Sequence, residues 1–190
     1  MHRTPVVAIM LVLSAVPGAL ASATVARPSV IGSSTATPAE SPEALVYRQA
    51  LVDLLRGSRR IVIVEHSDPL DAISVDGKTP PHAPSRVYAT RELRPEEQAA
   101  FAARVGEVPA VLPRIHAMCA FIAHHTIFFH TPSGKPVEVA VCFQCGDIEW
   151  VGQAGQAPDG LIGALANTVR AVGLSPQRDW KALMAAPAGN

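Results

Sequence analysis

Residues 116–151 hold most of the side chains in this sequence that could carry chemistry. All three cysteines and four of the seven histidines of the 190-residue chain lie there. They are Cys119, Cys142, Cys145, His116, His124, His125 and His130. Thiolate and imidazole groups are the ligands that zinc prefers in proteins. The sequence therefore predicts a metal site in this stretch.

The middle of the stretch predicts a β-hairpin. Two strands, residues 125–131 and 135–141, flank the loop 132–134, and three-residue hairpin loops favour a left-handed residue where Gly134 stands. This loop fixes a register in which Phe128 faces Glu138 and His124 faces Cys142. The apolar residues that then share one buried face are Ile127, Phe129, Val137, Val139 and Val141.

The end of the hairpin supplies two sulfurs. Cys142-Phe143-Gln144-Cys145 is followed by Gly146. This spacing is typical of a knuckle in which backbone amides point at thiolates and a glycine takes a positive φ. Residues 147–151 are predicted to form the strand that leaves the knuckle.

Two further residues would complete a tetrahedral site. Cys119 and His124 enter on the adjacent strand and would form a Cys3His set for Zn²⁺ with Cys142 and Cys145. His116 is an alternative fourth ligand, but the hairpin register favours His124. The remaining two histidines of the stretch, at positions 125 and 130, are predicted to be ordinary strand residues.

The pattern Cys119-x4-His124, a short hairpin and Cys142-Phe143-Gln144-Cys145 resembles a known group of proteins. These are small uncharacterised bacterial proteins, many of them exported, with a Cys-x-x-Pro-x-His segment ahead of a Cys-Phe-x-Cys segment. Ile122 stands where that family usually has proline. The resemblance extends loosely to the helices before and after the site. It supports the ligand position of His124 over that of His116, and it implies no reaction.

A disulfide is the main alternative to a metal. In an oxidising compartment Cys142 and Cys145 can close a small loop and leave Cys119 as a free thiol. The odd number of cysteines argues against a framework made only of disulfides. A thiol oxidoreductase would use the same pair, but such pairs generally lie at the N-terminus of a helix, and here a strand is predicted on both sides.

The predicted metal site favours a binding or accessory role. A zinc site with four protein ligands has no open coordination position, and such closed sites are generally structural. If only three residues bound the metal, Asp147 or Glu149 could serve a bound water as a base, which would make the protein a metal-dependent hydrolase. A protein-interaction module with a purely structural site is equally compatible with the sequence.

The N-terminus predicts export. A short positive start, an apolar run at residues 6–16 and a small-x-small cleavage motif indicate a signal peptide over residues 1–23, followed by a flexible tether over residues 24–41. The apolar run is shorter than the ~20 residues that span a bilayer, so no stable membrane span is expected after cleavage. The mature protein is then periplasmic or extracellular.

Charge and composition exclude one class of partner. Lys plus Arg and Asp plus Glu are equal at 16 each, and aromatic residues make up 5% of the chain. No basic field or stacking surface for nucleic acid is therefore expected. An unidentified protein partner stays open.

The elements that must position the site predict one α+β domain over residues 42–184, with a frayed tail at 185–190. A helix begins at Pro42 after the N-cap Ser41, and strands are predicted at 61–64 and 86–90. A second helix covers 95–105, a third follows the cap Asp159, and a short last helix carries Trp180. The expected architecture is an antiparallel sheet, including the cysteine knuckle meander, packed against three to four helices.

Two polar runs are predicted to be structural. Glu65-His66-Ser67-Asp68 contains the residue types of a hydrolase triad, but neighbours on a strand alternate faces and do not converge. Asp76-Gly77 is predicted to be a hairpin turn rather than a calcium loop.

Overall fold

The computed structural model describes residues 39–72, 85–113 and 119–186, which belong to one compact unit within residues 37–190. The predicted signal peptide, most of the predicted tether, the Asp76-Gly77 turn and His116 lie outside the described residues. So do the last four residues of the predicted tail. Among the described helices, none combines the length and apolar character needed to cross a bilayer.

The structure confirms an α+β fold built on an antiparallel sheet. The strands are β1 (Arg60–His66), β2 (Val87–Glu92), β3 (His125–His130), β4 (Val137–Cys142) and β5 (Asp147–Glu149). The helices are α1 (Pro42–Gly57), α2 (Pro95–Gly106), α3 (Leu161–Ala171) and α4 (Trp180–Ala185), and a single 3₁₀ turn covers Pro69–Ala72. The five strands lie in the order β2-β1-β3-β4-β5, so β3 is central.

The predicted hairpin register is confirmed. Phe128 pairs with Glu138 and Thr126 pairs with Ala140 in the β3–β4 ladder. Gly134 has a φ of +113°, as the three-residue loop requires. The strands begin and end within two residues of the predicted positions.

One face of the sheet forms the core with α1, α2 and α3. Along β1 and β3 the inward pairs are Ile61 with Phe129 and Ile63 with Ile127, and all four side chains are fully buried. On β4, Val139 and Val141 continue the same rows. The helices add the apolar side chains that fill this layer, among them Leu51, Leu55, Phe101, Val105, Leu161 and Leu165.

One of the predicted helix starts is confirmed and one needs correction. Ser41 occupies the N-cap position of α1 as predicted, although its side chain makes no capping hydrogen bond there. Asp159 does not cap α3, because Gly160, with a φ of +83°, takes the N-cap position and no side chain caps the helix. The last helix begins at Trp180, where the Asp179 carboxylate accepts a hydrogen bond from the backbone N–H of Ala182.

The loop after β5 packs tightly on α1 through Gly155. Gly155 has a φ of +88°, and a Cβ atom there would lie 2.5 Å from the carbonyl oxygen of Glu43. Such a contact is shorter than real Cβ atoms tolerate, and non-glycine residues at positive φ are strained by about 1–2 kcal/mol. The loop therefore depends on a glycine at this position.

We expect Gly155→Ala to lower the free energy of unfolding by about 2 kcal/mol or more, from strain plus the overlap with α1. The matched control is Gly163→Ala in the first turn of α3, where a Cβ atom meets nothing within 4 Å. That variant should be neutral or more stable by up to about 1 kcal/mol, since alanine has the higher helix propensity. Urea denaturation measures both, and equal effects would contradict the close approach at Gly155.

Candidate functional site

The turn between β4 and β5 brings Cys142 and Cys145 together. Cys142 ends β4 and is completely buried, while Cys145 lies in the turn and is partly exposed. The backbone N–H of Cys145 points at the Cys142 sulfur, 3.2 Å away, and the N–H of Gly146 donates to the Cys142 carbonyl at 2.9 Å. Gly146 has the predicted positive φ, at +71°.

Cys119 is bonded to Cys145 by a disulfide. The bond joins the segment that precedes β3 to the turn after β4, with Cα atoms 5.9 Å apart and a sequence separation of 26. Closing a loop of this length in the unfolded chain corresponds to about 3.5 kcal/mol in the chain-entropy model. The disulfide therefore closes the β3–β4 hairpin covalently near its open end.

The alternative pairing of Cys142 with Cys145 is wrong in this structure. Cys142 is free, and its side chain is directed into the interior, where none of it is exposed. Cys145 is directed instead toward the segment before β3, with its sulfur 2.8 Å from the carbonyl oxygen of Ala120. Cys145 thus lies next to both other cysteines, but its bond is made to Cys119, the one that is more distant in sequence.

His124 lies away from the sulfurs. Its Nε2 atom is 3.0 Å and 3.1 Å from the two carboxylate oxygens of Asp71, in the 3₁₀ turn after β1. Its ring stacks on Trp180 with 4.4 Å between ring centres and 7° between planes. Both members of the His124–Asp71 pair are buried.

The four predicted zinc ligands are therefore not gathered at one point in this structure. Within residues 39–72, 85–113 and 119–186, no group of three or more His, Cys, Asp or Glu side chains is placed to hold a metal ion. The Cys3His set of Cys119, His124, Cys142 and Cys145 stays a prediction, as does the metal-binding knuckle. To form the set, Cys119 and Cys145 must be reduced and His124 must leave Asp71.

A buried acid and histidine extend the inward rows of β1 and β3. Glu65 pairs with His125 in the ladder, directly after the Ile63–Ile127 pair, and the two side chains are 0% and 1% exposed. His125 Nε2 is 3.6 Å from Glu65 Oε1, too far for a hydrogen bond. Neither ring nitrogen of His125 has a hydrogen-bond partner in the described part of the chain.

The Glu65 carboxylate is compensated by the segment before α4. The backbone N–H of Ser175 donates to Oε1 at 2.6 Å, and Arg178 Nη2 lies 2.8 Å from Oε2. The second contact is an ion pair without a well-directed hydrogen bond. A fully buried carboxylate needs such partners, because desolvating a charge is costly.

His125 is neutral at physiological pH. Burial lowers the pKa of His125 to about 4, against the opposing attraction of the Glu65 charge. The ring meets Phe143 edge-on, with 4.9 Å between centres, and meets Trp180 edge-on at 5.7 Å. His125 therefore behaves as part of an aromatic cluster.

A small cavity of ≈ 230 Å³ adjoins this cluster. Its lining combines residues from the start of β3, the β4–β5 turn and the segment leading into α4, namely His124, His125, Phe143, Gln144, Gln177 and Trp180. Arg178 also borders it, with 37% of its side chain exposed. The residues between Cys142 and Cys145 thus form part of a cavity wall.

The polar run Glu65-His66-Ser67-Asp68, which ends β1 and continues past it, does not converge as a triad, as predicted. His66 Nε2 lies 2.8 Å from the Thr126 hydroxyl, and its Nδ1 lies 3.0 Å from the Ser67 carbonyl. The Ser67 hydroxyl accepts a hydrogen bond from the backbone N–H of Arg86. Glu65 points to the opposite face, toward His125.

The contacts of His125 with Glu65 and of His124 with Asp71 were not predicted from the sequence. Ile61, Ile63 and Glu65 are spaced two residues apart. His125, Ile127 and Phe129 have the same spacing. This alternation was a sufficient signal that the two polar residues continue the buried rows. The contact between His124 and Asp71 has no comparable signal, because 53 residues separate them.

No protein-family model matches this chain, and comparisons with curated proteins and with solved structures give no significant match. The resemblance through the cysteine and histidine spacing therefore stays a prediction based on those residues.

We expect the stability of the protein to fall as pH drops from about 6.5, the ordinary histidine pKa, toward 4. In this window the unfolded chain binds a proton at His125 and the folded chain does not, because its pKa is lowered to about 4. Above pH 6.5 the neutral His125 costs no stability. Within the window the free energy of unfolding falls by at most about 1.4 kcal/mol for each pH unit. Denaturation of the wild type and of His125→Gln across this range measures it. An unchanged slope in the variant would contradict the assignment.

Removal of the charge next to Glu65 should destabilise the fold. We expect Arg178→Met to lower the free energy of unfolding by about 1–3 kcal/mol, less than for a fully buried pair because Arg178 is over a third exposed. Thermal or urea denaturation at pH 7 measures the loss.

A surface ion pair provides the control for that variant. Arg60 and Glu92 form a pair in which both side chains are more than half exposed. Arg60→Met should change stability by no more than about 0.5 kcal/mol. If the two variants had equal effects, Glu65 would not depend on Arg178.

Proposed function

We propose that this chain is an exported binding or accessory protein, not an enzyme, in which the cysteines hold the β3–β5 meander closed. The observation that carries the proposal is the Cys119–Cys145 disulfide, which ties the β4–β5 turn to the segment preceding β3. Disulfides persist mainly in oxidising compartments outside the cytoplasm. The bond therefore agrees with the predicted signal peptide.

The reactive side chains are held in bonds and contacts within the protein, which supports a binding role. Cys119 and Cys145 are bonded to each other, and Cys142 is completely buried. His124 is held by Asp71, and the ring nitrogens of His125 are inaccessible to solvent. A nucleophile or general base needs a reactive atom that is free to attack the substrate or to take its proton. Here the sulfurs of Cys119 and Cys145 are bonded to each other and His124 Nε2 is held by Asp71.

The turn also lies at the edges of two cavities, which supports the binding of a ligand. Phe143 and Gln144 line the small cavity, while Cys145, Gly146 and Asp147 line a larger one of ≈ 570 Å³. Cavities of about 300–1,000 Å³ are typical of small-molecule sites. By fixing Cys145, the disulfide holds one wall of the larger cavity in place.

Zinc binding by the reduced protein is the second candidate. Its support is the position of Cys145 next to both other cysteines: its sulfur is bonded to Cys119, and its backbone N–H donates to the Cys142 sulfur. Thiolates and zinc together would contribute folding free energy outright, about 10 kcal/mol or more in small zinc peptides. The fourth ligand would be His124 after its release from Asp71, or His116.

A thiol oxidoreductase has less support. Redox-active pairs generally lie at a helix N-terminus, which lowers the pKa of the attacking thiol. Cys145 is instead followed by the short strand β5, and Cys142 has no exposed surface.

The protein purified without chelator should contain one free thiol per chain, at Cys142, and no stoichiometric zinc. Thiol counting under denaturing, non-reducing conditions, peptide mapping of the Cys119–Cys145 link and elemental analysis provide the test. Three free thiols with about one zinc per chain would overturn the disulfide and support the Cys3His set.

Sensitivity to reductant gives a second test with matched variants. Dithiothreitol should lower the free energy of unfolding of the wild type by about 2–5 kcal/mol, to the level of the Cys119→Ala/Cys145→Ala double variant, which should not respond. Cys142→Ala should keep the full response, because Cys142 takes no part in the bond. Loss of the response in Cys142→Ala would contradict the assigned pairing.

A further inference from the structure

The larger cavity is formed where the loop after β5 closes against α1. It lies between Tyr47 of α1, the β4–β5 turn, Trp150 and the first turn of α3, and its volume is ≈ 570 Å³. The close approach of Gly155 to the backbone of Glu43 and Tyr47 holds the loop on α1. The wall on the turn side is fixed by the disulfide at Cys145.

The charges at this cavity are negative. Asp147 and Asp159 both line it, and the described lining residues include no Lys, Arg or His. Neither carboxylate takes part in an ion pair within the described part of the chain. The Asp147 carboxylate accepts a hydrogen bond from the backbone N–H of Ile148 at 2.8 Å. A cavity with uncompensated carboxylates attracts a cation.

Tyr47 supplies an independent observation that points to a ligand. Its side chain is 95% buried, and its hydroxyl has no hydrogen-bond partner among the described residues. Burial, together with the nearby charge of Asp147, raises the pKa of Tyr47 to about 12, so the hydroxyl stays protonated. Leaving a buried hydroxyl unpaired costs about 1–3 kcal/mol, which a ligand group bonded to it would recover.

The aromatic rings complete the site. Tyr47 and Trp150 meet edge to face, with 5.6 Å between ring centres and 84° between planes, and both rings line the cavity. The faces of such rings attract ammonium groups, Trp more strongly than Tyr. A carboxylate, a hydroxyl oxygen and an aromatic wall together suit an organic cation better than a hydrated metal ion.

The start of α3 at the same cavity does not favour an anion. The helix begins at Leu161 without a side-chain cap, and its N-terminus carries a partial positive charge. The Asp159 carboxylate, two residues before that end, offsets this positive charge, and Asp147 adds a second negative group. An anionic ligand would therefore meet two carboxylates.

We propose that this cavity binds a small organic ammonium ion, with Asp147 as its counter-ion, the Tyr47 hydroxyl accepting an N–H and Trp150 contacting the cation through its ring. The assignment of the ligand class rests on the proposed binding function. Asp159 adds a second negative charge to the lining, and Cys145 fixes the wall that carries Asp147.

The test compares three probes of similar size and different charge. Full-length mature protein is titrated by calorimetry and by NMR of the Trp150 indole with 2-phenylethylammonium, neutral 2-phenylethanol and anionic 3-phenylpropanoate. We expect the ammonium probe to bind at least about tenfold more tightly than the other two, a difference of about 1.4 kcal/mol. No binding of the ammonium probe at millimolar concentration, or equal binding of all three, would overturn the proposal. Stronger binding of Ca²⁺ in competition with the amine would overturn it in favour of a metal site.

Three variants localise the binding. Asp147→Asn and Tyr47→Phe should each weaken binding of the ammonium probe at least about fivefold, the loss expected for one charged or hydrogen-bonded contact. Asp53→Asn removes an exposed carboxylate on α1 that bonds Gln49, and it should leave the affinity unchanged. An equal loss in Asp53→Asn would show that only the overall charge matters and would refute the site.

Failure of the ligand class and failure of the binding function give different results. If 3-phenylpropanoate or 2-phenylethanol bound preferentially at Trp150 while the Cys119–Cys145 bond was intact, the ammonium assignment would be wrong and the binding function would stand. If the ammonium probe bound protein with three free thiols and zinc, the site would stand and the disulfide role would be wrong.

Discussion

The alternation of β3 is the constraint on which the rest of the structure depends. As the central strand it pairs with β1 on one side and β4 on the other, and one of its faces is buried under α1, α2 and α3. A shift of one residue would move Ile127 and Phe129 from the core to the opposite face of the sheet. The register is therefore fixed over the whole strand. Its first residue, His125, must lie on the buried face.

The burial of His125 accounts for the arrangement of the C-terminal segment. Its ladder partner Glu65 is forced inward with it, so the apolar rows end in a carboxylate that has no access to water. The Ser175 N–H and the Arg178 guanidinium compensate that charge, and both belong to the segment leading into α4. The same segment places Trp180 against His124 and His125. A requirement set in two strands thus determines where the chain must pass 110 residues after Glu65.

The elements could be predicted from local patterns because their causes are local. Pro42 at a helix start, the β-branched run at 61–64 and the loop ending in Gly134 each act over a few residues, and the structure has the corresponding helix, strand and turn. The disulfide partner of Cys145 could not be obtained in this way. It depends on how the segment from Cys119 returns to the sheet, and that path is determined by tertiary packing. The same holds for His124, whose position opposite Cys142 suggested a shared ligand set, while its ring is held by Asp71 and Trp180.

The β4–β5 turn borders both the small and the larger cavity. Cys142 is anchored in the core, Phe143 and Gln144 face the small cavity, and Cys145 and Gly146 border the larger one. So short a turn has few conformations that satisfy both ends, and the positive φ of Gly146 removes others. The bond to Cys119 then fixes the turn at its most exposed sulfur. Asp147 lies two residues after Cys145 and lines the larger cavity. The covalent link and one of the two carboxylates of that cavity therefore belong to the same short segment.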